Sequence, residues 1–98
     1  MSFPIELKLV WQEQFLGLSL NQIIDNHSIP ITSYFIWPKT DAWEQLKFEL
    51  DSKPWLQEAE KVMVLNNITR LMNQWREKRS ISQLTDIEMR FSATIVPD

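Results

Sequence analysis

The stretch FIWPKTDAWEQLKFELDSKPW, residues 35–55, decides how this chain folds, because it marks where one helix begins and ends. A glutamate lies three positions after Asp41, which is a variant of the reciprocal capping pattern at a helix start, and Thr40 is the competing cap. Pro54 disfavours helical geometry at the residue before it. The stretch therefore predicts a helix over residues 41–52.

Extended structure is predicted on the N-terminal side of this helix. Ile5–Trp11 alternates apolar and polar residues, which is typical of a strand with one buried face. Residues 29–37 are rich in β-branched and aromatic types and are bracketed by Pro30 and Pro38, which favours an extended segment of edge-strand type. Between these segments, apolar residues at helical spacing predict a short helix over residues 19–26.

A second, longer helix is predicted over residues 56–78, where apolar residues recur at about 100° per residue. The predicted buried stripe, which Val64 and Leu71 flank, consists of Val62, Leu65, Ile68, Met72 and Trp75. Asn67, Arg70 and Gln74 are predicted on the opposite, outward face. A second alternating segment over residues 89–96 predicts a C-terminal strand.

Together these elements predict the fold class. We expect a single α+β domain over residues 1–98, in which the N- and C-terminal strands form a small antiparallel sheet packed on two main helices plus a short one. The N-terminus lacks the features of a signal or transit peptide, and no apolar run approaches the roughly 20 residues that span a bilayer. We expect the protein to act where it is made, with no membrane partner.

The composition excludes several kinds of catalytic chemistry, although a pair of carboxylates for acid–base catalysis that assembles only in the folded protein stays open as an alternative. There is no Cys, and Gly17 is the single glycine, so thiolate chemistry, Cys-type zinc sites and glycine-rich phosphate loops are absent. His27 is the one histidine and lies in a polar turn, which favours a solvated loop residue over a catalytic base. We therefore expect a binding protein with no catalytic residues, no cofactor, no metal and no small-molecule substrate.

Three aromatic residues are candidates for a protein interface. Trp37 precedes a proline, Trp55 follows one at the next helix start, and Phe48 projects from the side of its helix opposite the apolar face. Trp is rarely fully buried and is enriched at interfaces, so packing in the core and contact with a partner both remain open for these side chains.

Three segments together resemble one known family. Residues 35–55, the later VLNNITRLMNQW and the early LVWQEQFLGLSLNQ are similar to the plastid-specific ribosomal protein three family, which comprises small-subunit ribosomal proteins of chloroplasts and cyanobacteria. The resemblance covers residues 7–75, and the tail over residues 80–98 lies outside it. It implies a structural component of the 30S-type subunit, located in the cyanobacterial cytoplasm or the chloroplast stroma. The alternative is a non-ribosomal adaptor that binds another protein through its aromatic surface.

The implied partners are ribosomal RNA, neighbouring ribosomal proteins, or both. The net charge of −3 argues against whole-surface attraction to RNA, so an RNA contact needs a local basic patch. Arg76, Lys78 and Arg79 form the tightest basic cluster, and Arg70 extends it along the helix. Cations at a helix end also complement the helix dipole, which is the ordinary explanation. We predict that these four residues contact RNA phosphates.

Overall fold

The computed structural model describes residues 4–97 and has an α+β architecture. The elements in chain order are β1 (Ile5–Trp11), β2 (Leu16–Ile24), β3 (His27–Pro30), β4 (Phe35–Trp37), α1 (Ala42–Asp51), α2 (Glu58–Arg76) and β5 (Phe91–Ile95). A 3-10 turn, Ile81–Gln83, lies between α2 and β5. A curled mixed sheet packs against the two helices, so the predicted fold class is confirmed.

The sheet has the strand order β3-β2-β1-β5. The short strand β4 also pairs with β2. β1 and β2 form an antiparallel hairpin. β5 pairs with β1 in parallel, with Leu7 opposite Phe91 and Trp11 opposite Ile95. The predicted antiparallel pairing of the N- and C-terminal strands is therefore wrong. The chain leaves α2 near the Trp11 end of the sheet and runs back along the helix, so it enters β5 in the direction of β1.

The short helix predicted over residues 19–26 is also wrong, because these residues belong to β2 and the turn after it. Leu16 to Asn21 are all buried, so this strand is covered on both faces and shows no clean alternation. A short apolar run of this kind cannot be assigned by its period alone. Asp25 and Asn26 have φ values of 48° and 66°, as the tight turn of a β-hairpin requires.

The first helix matches its prediction. The Oδ1 atom of Asp41 accepts a 3.1 Å hydrogen bond from the backbone N–H of Glu44, so Asp41 is the N-cap. The competing candidate, Thr40, instead donates its hydroxyl to the carbonyl of Ile36 at 2.8 Å. α1 buries Ala42, Leu46 and Leu50 against the core.

The buried face of α2 is rotated from the predicted stripe. Val64, Ile68, Leu71 and Met72 are buried, whereas Val62 is 49% exposed. Asn67 and Gln74, predicted to face solvent, are buried as well. The reason is that the connection from α2 to β5 packs over their side of the helix.

Two amide side chains hold this connection in place. Asn67 accepts a 2.7 Å hydrogen bond from the backbone N–H of Glu88 and donates to the carbonyl of Met63. Gln74 accepts from the N–H of Thr85 at 2.9 Å and donates to its carbonyl at 2.8 Å. Asn67 and Gln74 therefore form hydrogen bonds with backbone groups of a segment that has little regular structure of its own.

Candidate functional site

Three segments of the chain converge around the turn between β1 and β2. The indole Nε1 of Trp75, near the end of α2, donates a 2.8 Å hydrogen bond to the carbonyl of Gln12. The N–H of Val96, just after β5, donates to the carbonyl of Trp11 at 2.9 Å. Trp37, at the end of β4, lies opposite the first residue of β2. Residues far apart in sequence therefore share one end of the molecule.

This end carries several basic side chains. Lys39, Arg76 and Lys78 are exposed, and none of them forms a salt bridge within residues 4–97. The guanidinium of Arg76 lies over the Trp37 ring, with 6.0 Å between the guanidinium carbon and the ring centroid. This distance allows a cation–π contact that keeps the charge at the surface. We call Lys39, Arg76, Lys78, Arg79, Trp37 and Trp75 the basic-aromatic end.

The backbone at the end of α2 fixes where Lys78 lies. The N–H of Lys78 donates to the carbonyl of Trp75 at 3.0 Å, and the N–H of Arg79 donates to the carbonyl of Gln74 at 3.2 Å. This pair of bonds is a Schellman motif, which places Lys78 in the left-handed region with a φ of 62°. Glycine is the usual residue there, so a lysine adds a charge at some conformational cost.

The other two predicted RNA contacts, Arg79 and Arg70, have structural partners. The Nε atom of Arg79 lies 3.0 Å from a carboxylate oxygen of Glu77, and its guanidinium donates to the side chain of Gln74 at 3.1 Å. Arg70 is half-buried and donates to the carbonyl of Asp86 at 3.4 Å. Arg79 lines a cleft beside Trp75 and also a groove on the other side of α2. Arg70 lines that groove together with Asp86 and Glu77.

Sequence reasoning missed Lys39. It lies in the turn after Pro38, which is closed by a hydrogen bond from the N–H of Thr40 to the carbonyl of Ile36 at 2.9 Å. A single lysine in a loop carries no signal of its own. Lys39 lies at the same end of the molecule as Arg76 and Lys78 only because β4 ends beside the β1–β2 turn.

The three predicted interface aromatics do not form one surface. Trp37 is half-buried beneath Arg76 and belongs to the basic-aromatic end. Phe48 is 74% exposed on the outer side of α1, where it lines a shallow groove with Phe35, Glu44 and Glu49. Trp55, in the connection between α1 and α2, is 45% exposed.

The surroundings of Phe48 and Trp55 are acidic. Residues 44–61 contain five carboxylates and three lysines, a net charge of −2. All three lysines are paired, as in the 3.1 Å contact between Lys47 and Asp51 and the 3.5 Å contact between Lys53 and Glu49. The hydrogen bond to Asp51 raises the pKa of Lys47 above its usual value, so this lysine stays charged at neutral pH. The protein is thus acidic along α1 and basic at the β1–β2 turn.

The described part of the chain holds neither a cluster of metal ligands nor a helix that could span a membrane. Residues 4–97 contain no group of three or more His, Cys, Asp or Glu side chains placed to hold a metal ion. Among these residues, no helix has the length and apolar character needed to cross a membrane.

Comparison with known proteins identifies the class. Residues 31–78 match the model of the family described as plastid and cyanobacterial ribosomal protein (PSRP-3 / Ycf65). Small ribosomal subunit protein cS23 of Gracilaria tenuistipitata var. liui is 43% identical over 84 residues, covering 86% of this chain and 85% of the relative. The probable small ribosomal subunit protein cS23 of Synechococcus sp. (strain JA-2-3B'a(2-13)) is 36% identical over 90 residues, covering 92% and 91%.

Cyanidium caldarium has a similar relative, also called small ribosomal subunit protein cS23, which is 39% identical over 88 residues and covers 88% of this chain and 87% of the relative. These similarities define a ribosomal protein, a structural component of the translation machinery and not an enzyme. The chain belongs to the plastid and cyanobacterial ribosomal protein family (PSRP-3 / Ycf65). The resemblance read from the sequence is confirmed.

Proposed function

We propose that this protein is a structural component of the small ribosomal subunit, attached to ribosomal RNA through its basic-aromatic end and to a neighbouring protein through the acidic side of α1. Membership of a ribosomal protein family supports the first part. The observation that carries the RNA contact is the gathering of Lys39, Arg76 and Lys78 at one end of an acidic protein.

The RNA contact follows from how the charges are distributed. Salt bridges engage most of the lysines and arginines, whereas Lys39, Arg76 and Lys78 have no carboxylate partner within the described chain. An exposed cation that is not already paired gains the most from a phosphate. Phosphate contacts fix position and orientation without reading sequence, which suits a structural subunit of a large RNA particle.

The protein contact follows from Phe48 and Trp55. Both are large exposed apolar side chains in an acidic setting, an arrangement that would repel RNA. A neighbouring protein with basic residues would complement the carboxylates, while the aromatic rings supply buried area at the centre of the contact. The net charge of −3 is then compatible with a ribosomal role, because the acidic and basic surfaces have different partners.

The family places the protein on a ribosome of the plastid and cyanobacterial type. Its location would accordingly be the cytoplasm of a cyanobacterium or the chloroplast stroma.

Sedimentation tests the proposed function directly. The protein should co-migrate with small subunits, and part of this association should survive in high-salt gradients, because salt weakens the phosphate contacts but does not weaken apolar burial at the protein contact. A non-ribosomal adaptor would remain at the top of the gradient. Recovery of the protein only in the top fractions, at every salt concentration tried, would contradict the proposal and favour the adaptor.

A further inference from the structure

A cleft of about 360 Å³ opens at the basic-aromatic end, between the β1–β2 turn, the end of α2 and the residues that follow β5. Trp11, Trp75, Ile95 and Val96 give it an aromatic and apolar lining. Lys78 and Arg79 line it as well. An aromatic ring, an apolar wall and a cation are therefore gathered around one small space.

Trp75 is held in a fixed orientation within this cleft. Its ring is half-buried, and its one hydrogen-bond donor is satisfied by the carbonyl of Gln12 at 2.8 Å. A ring that is already oriented costs little entropy when a flat ligand stacks on it. Nucleobases stack on aromatic side chains whatever their sequence, because every base has a π-face.

The apolar wall is exposed without a partner in the described chain. Ile95 is 69% exposed, and Val96 is exposed as well. Single exposed apolar side chains are ordinary on protein surfaces. These two differ because they line the same cleft as Trp75, where a flat apolar group could be covered on two sides.

The polar groups of the cleft suit a nucleotide better than a wholly apolar ligand. Glu77 pairs with Arg79 at 3.0 Å, so Lys78, with no salt bridge to residues 4–97, is the cation available to a phosphate. A phosphate alone would leave the apolar walls unused.

We infer that this cleft holds one unstacked RNA nucleotide, with its base between Trp75 and the Ile95–Val96 wall and its phosphate at Lys78. The inference rests on the proposed function and specifies what the basic-aromatic end recognises. Bases that are splayed out of a helix are the common target when proteins bind RNA through stacking. The site thus requires a single-stranded loop or a bulge, and not a regular duplex.

Ultraviolet cross-linking within assembled small subunits tests this inference. In a cyanobacterium whose own copy of the gene is replaced by this one, irradiation should couple RNA to peptides that contain Trp75 or residues 95–97. Ile95→Glu places a carboxylate on the cleft wall and should lower that cross-linking yield about tenfold, the loss expected for one stacked base. Val62→Glu is the matched control, since Val62 is also exposed but does not line the cleft.

The possible results separate the two proposals. If small subunits contain the protein but the cleft peptides carry no RNA, or if Ile95→Glu leaves their yield unchanged, the nucleotide site is overturned and the proposed function stands. If the wild-type protein is absent from small subunits, the proposed function fails and the nucleotide site fails with it.

Discussion

Trp75 and Gln12, which are 63 residues apart, are joined by a 2.8 Å hydrogen bond from the indole Nε1 to the backbone carbonyl. This bond connects the last turn of α2 to the β1–β2 turn. Because Arg76 and Lys78 follow directly in the chain, the position of both cations depends on it. The stability of the fold and the geometry of the basic-aromatic end are therefore coupled through one side chain.

Truncating Trp75 should show this coupling. Trp75→Ala removes a large, partly buried ring and should lower the free energy of unfolding by about 3–5 kcal/mol. Trp75→Phe keeps much of the packing but loses the hydrogen bond, so about 1 kcal/mol is expected. Urea denaturation followed by circular dichroism measures both. A midpoint for Trp75→Ala equal to that of the wild type would mean that the ring packs on nothing.

Asn67 and its neighbour Asn66 provide a matched pair for the connection between α2 and β5. Asn67→Leu should cost about 1–3 kcal/mol, because it leaves the N–H of Glu88 without its partner at a partly buried hydrogen bond. Asn66→Leu, on the exposed side of the helix, should change stability by less than about 0.5 kcal/mol. Thermal melts of the two variants provide the comparison, and equal effects would show that the connection is not anchored at Asn67.

Local patterns predicted most elements of the fold, because each depends on residues close in sequence. The strand Ile5–Trp11 alternates cleanly since one of its faces is less buried than the other. α1 begins at Asp41 because its carboxylate caps the helix. The helix predicted over residues 19–26 is wrong because both faces of this part of β2 are covered. Whether a strand is covered on both faces depends on distant parts of the chain.

The candidate site was less predictable for the same reason. Arg76 and Lys78 are visible in the sequence as basic residues at a helix end. Their relation to Lys39 and Trp37 depends on the pairing of β4 with β2, which no local pattern encodes. Likewise, Gln74 is buried because the segment after α2 returns along the helix and bonds to its side chain. A polar side chain on a helix predicts an exposed face, so this burial could not be predicted locally.

Lys78 offers a way to remove one charge without weakening the fold. Lys78→Gly places the residue that prefers positive φ where the Schellman motif needs it, so stability should be unchanged or higher by up to about 1 kcal/mol. Lys78→Ala removes the same charge but keeps the strained backbone, so it should be less stable than the glycine variant. Differential scanning calorimetry of both proteins checks the order, and a glycine variant that melts lower would contradict the assigned motif.

The salt dependence of incorporation into small subunits tests the central claim most directly. The variant Lys39→Glu, Lys78→Glu reverses two exposed charges at the basic-aromatic end, and Lys47→Glu, Lys53→Glu makes the same change in net charge along α1. If the basic-aromatic end binds RNA phosphates, the first variant should bind more weakly, and its slope of log affinity against log salt should be shallower by about two, whereas the slope of the second variant should not become shallower than that of the wild type. Equal affinity and equal slope for the wild type and the first variant would contradict the account.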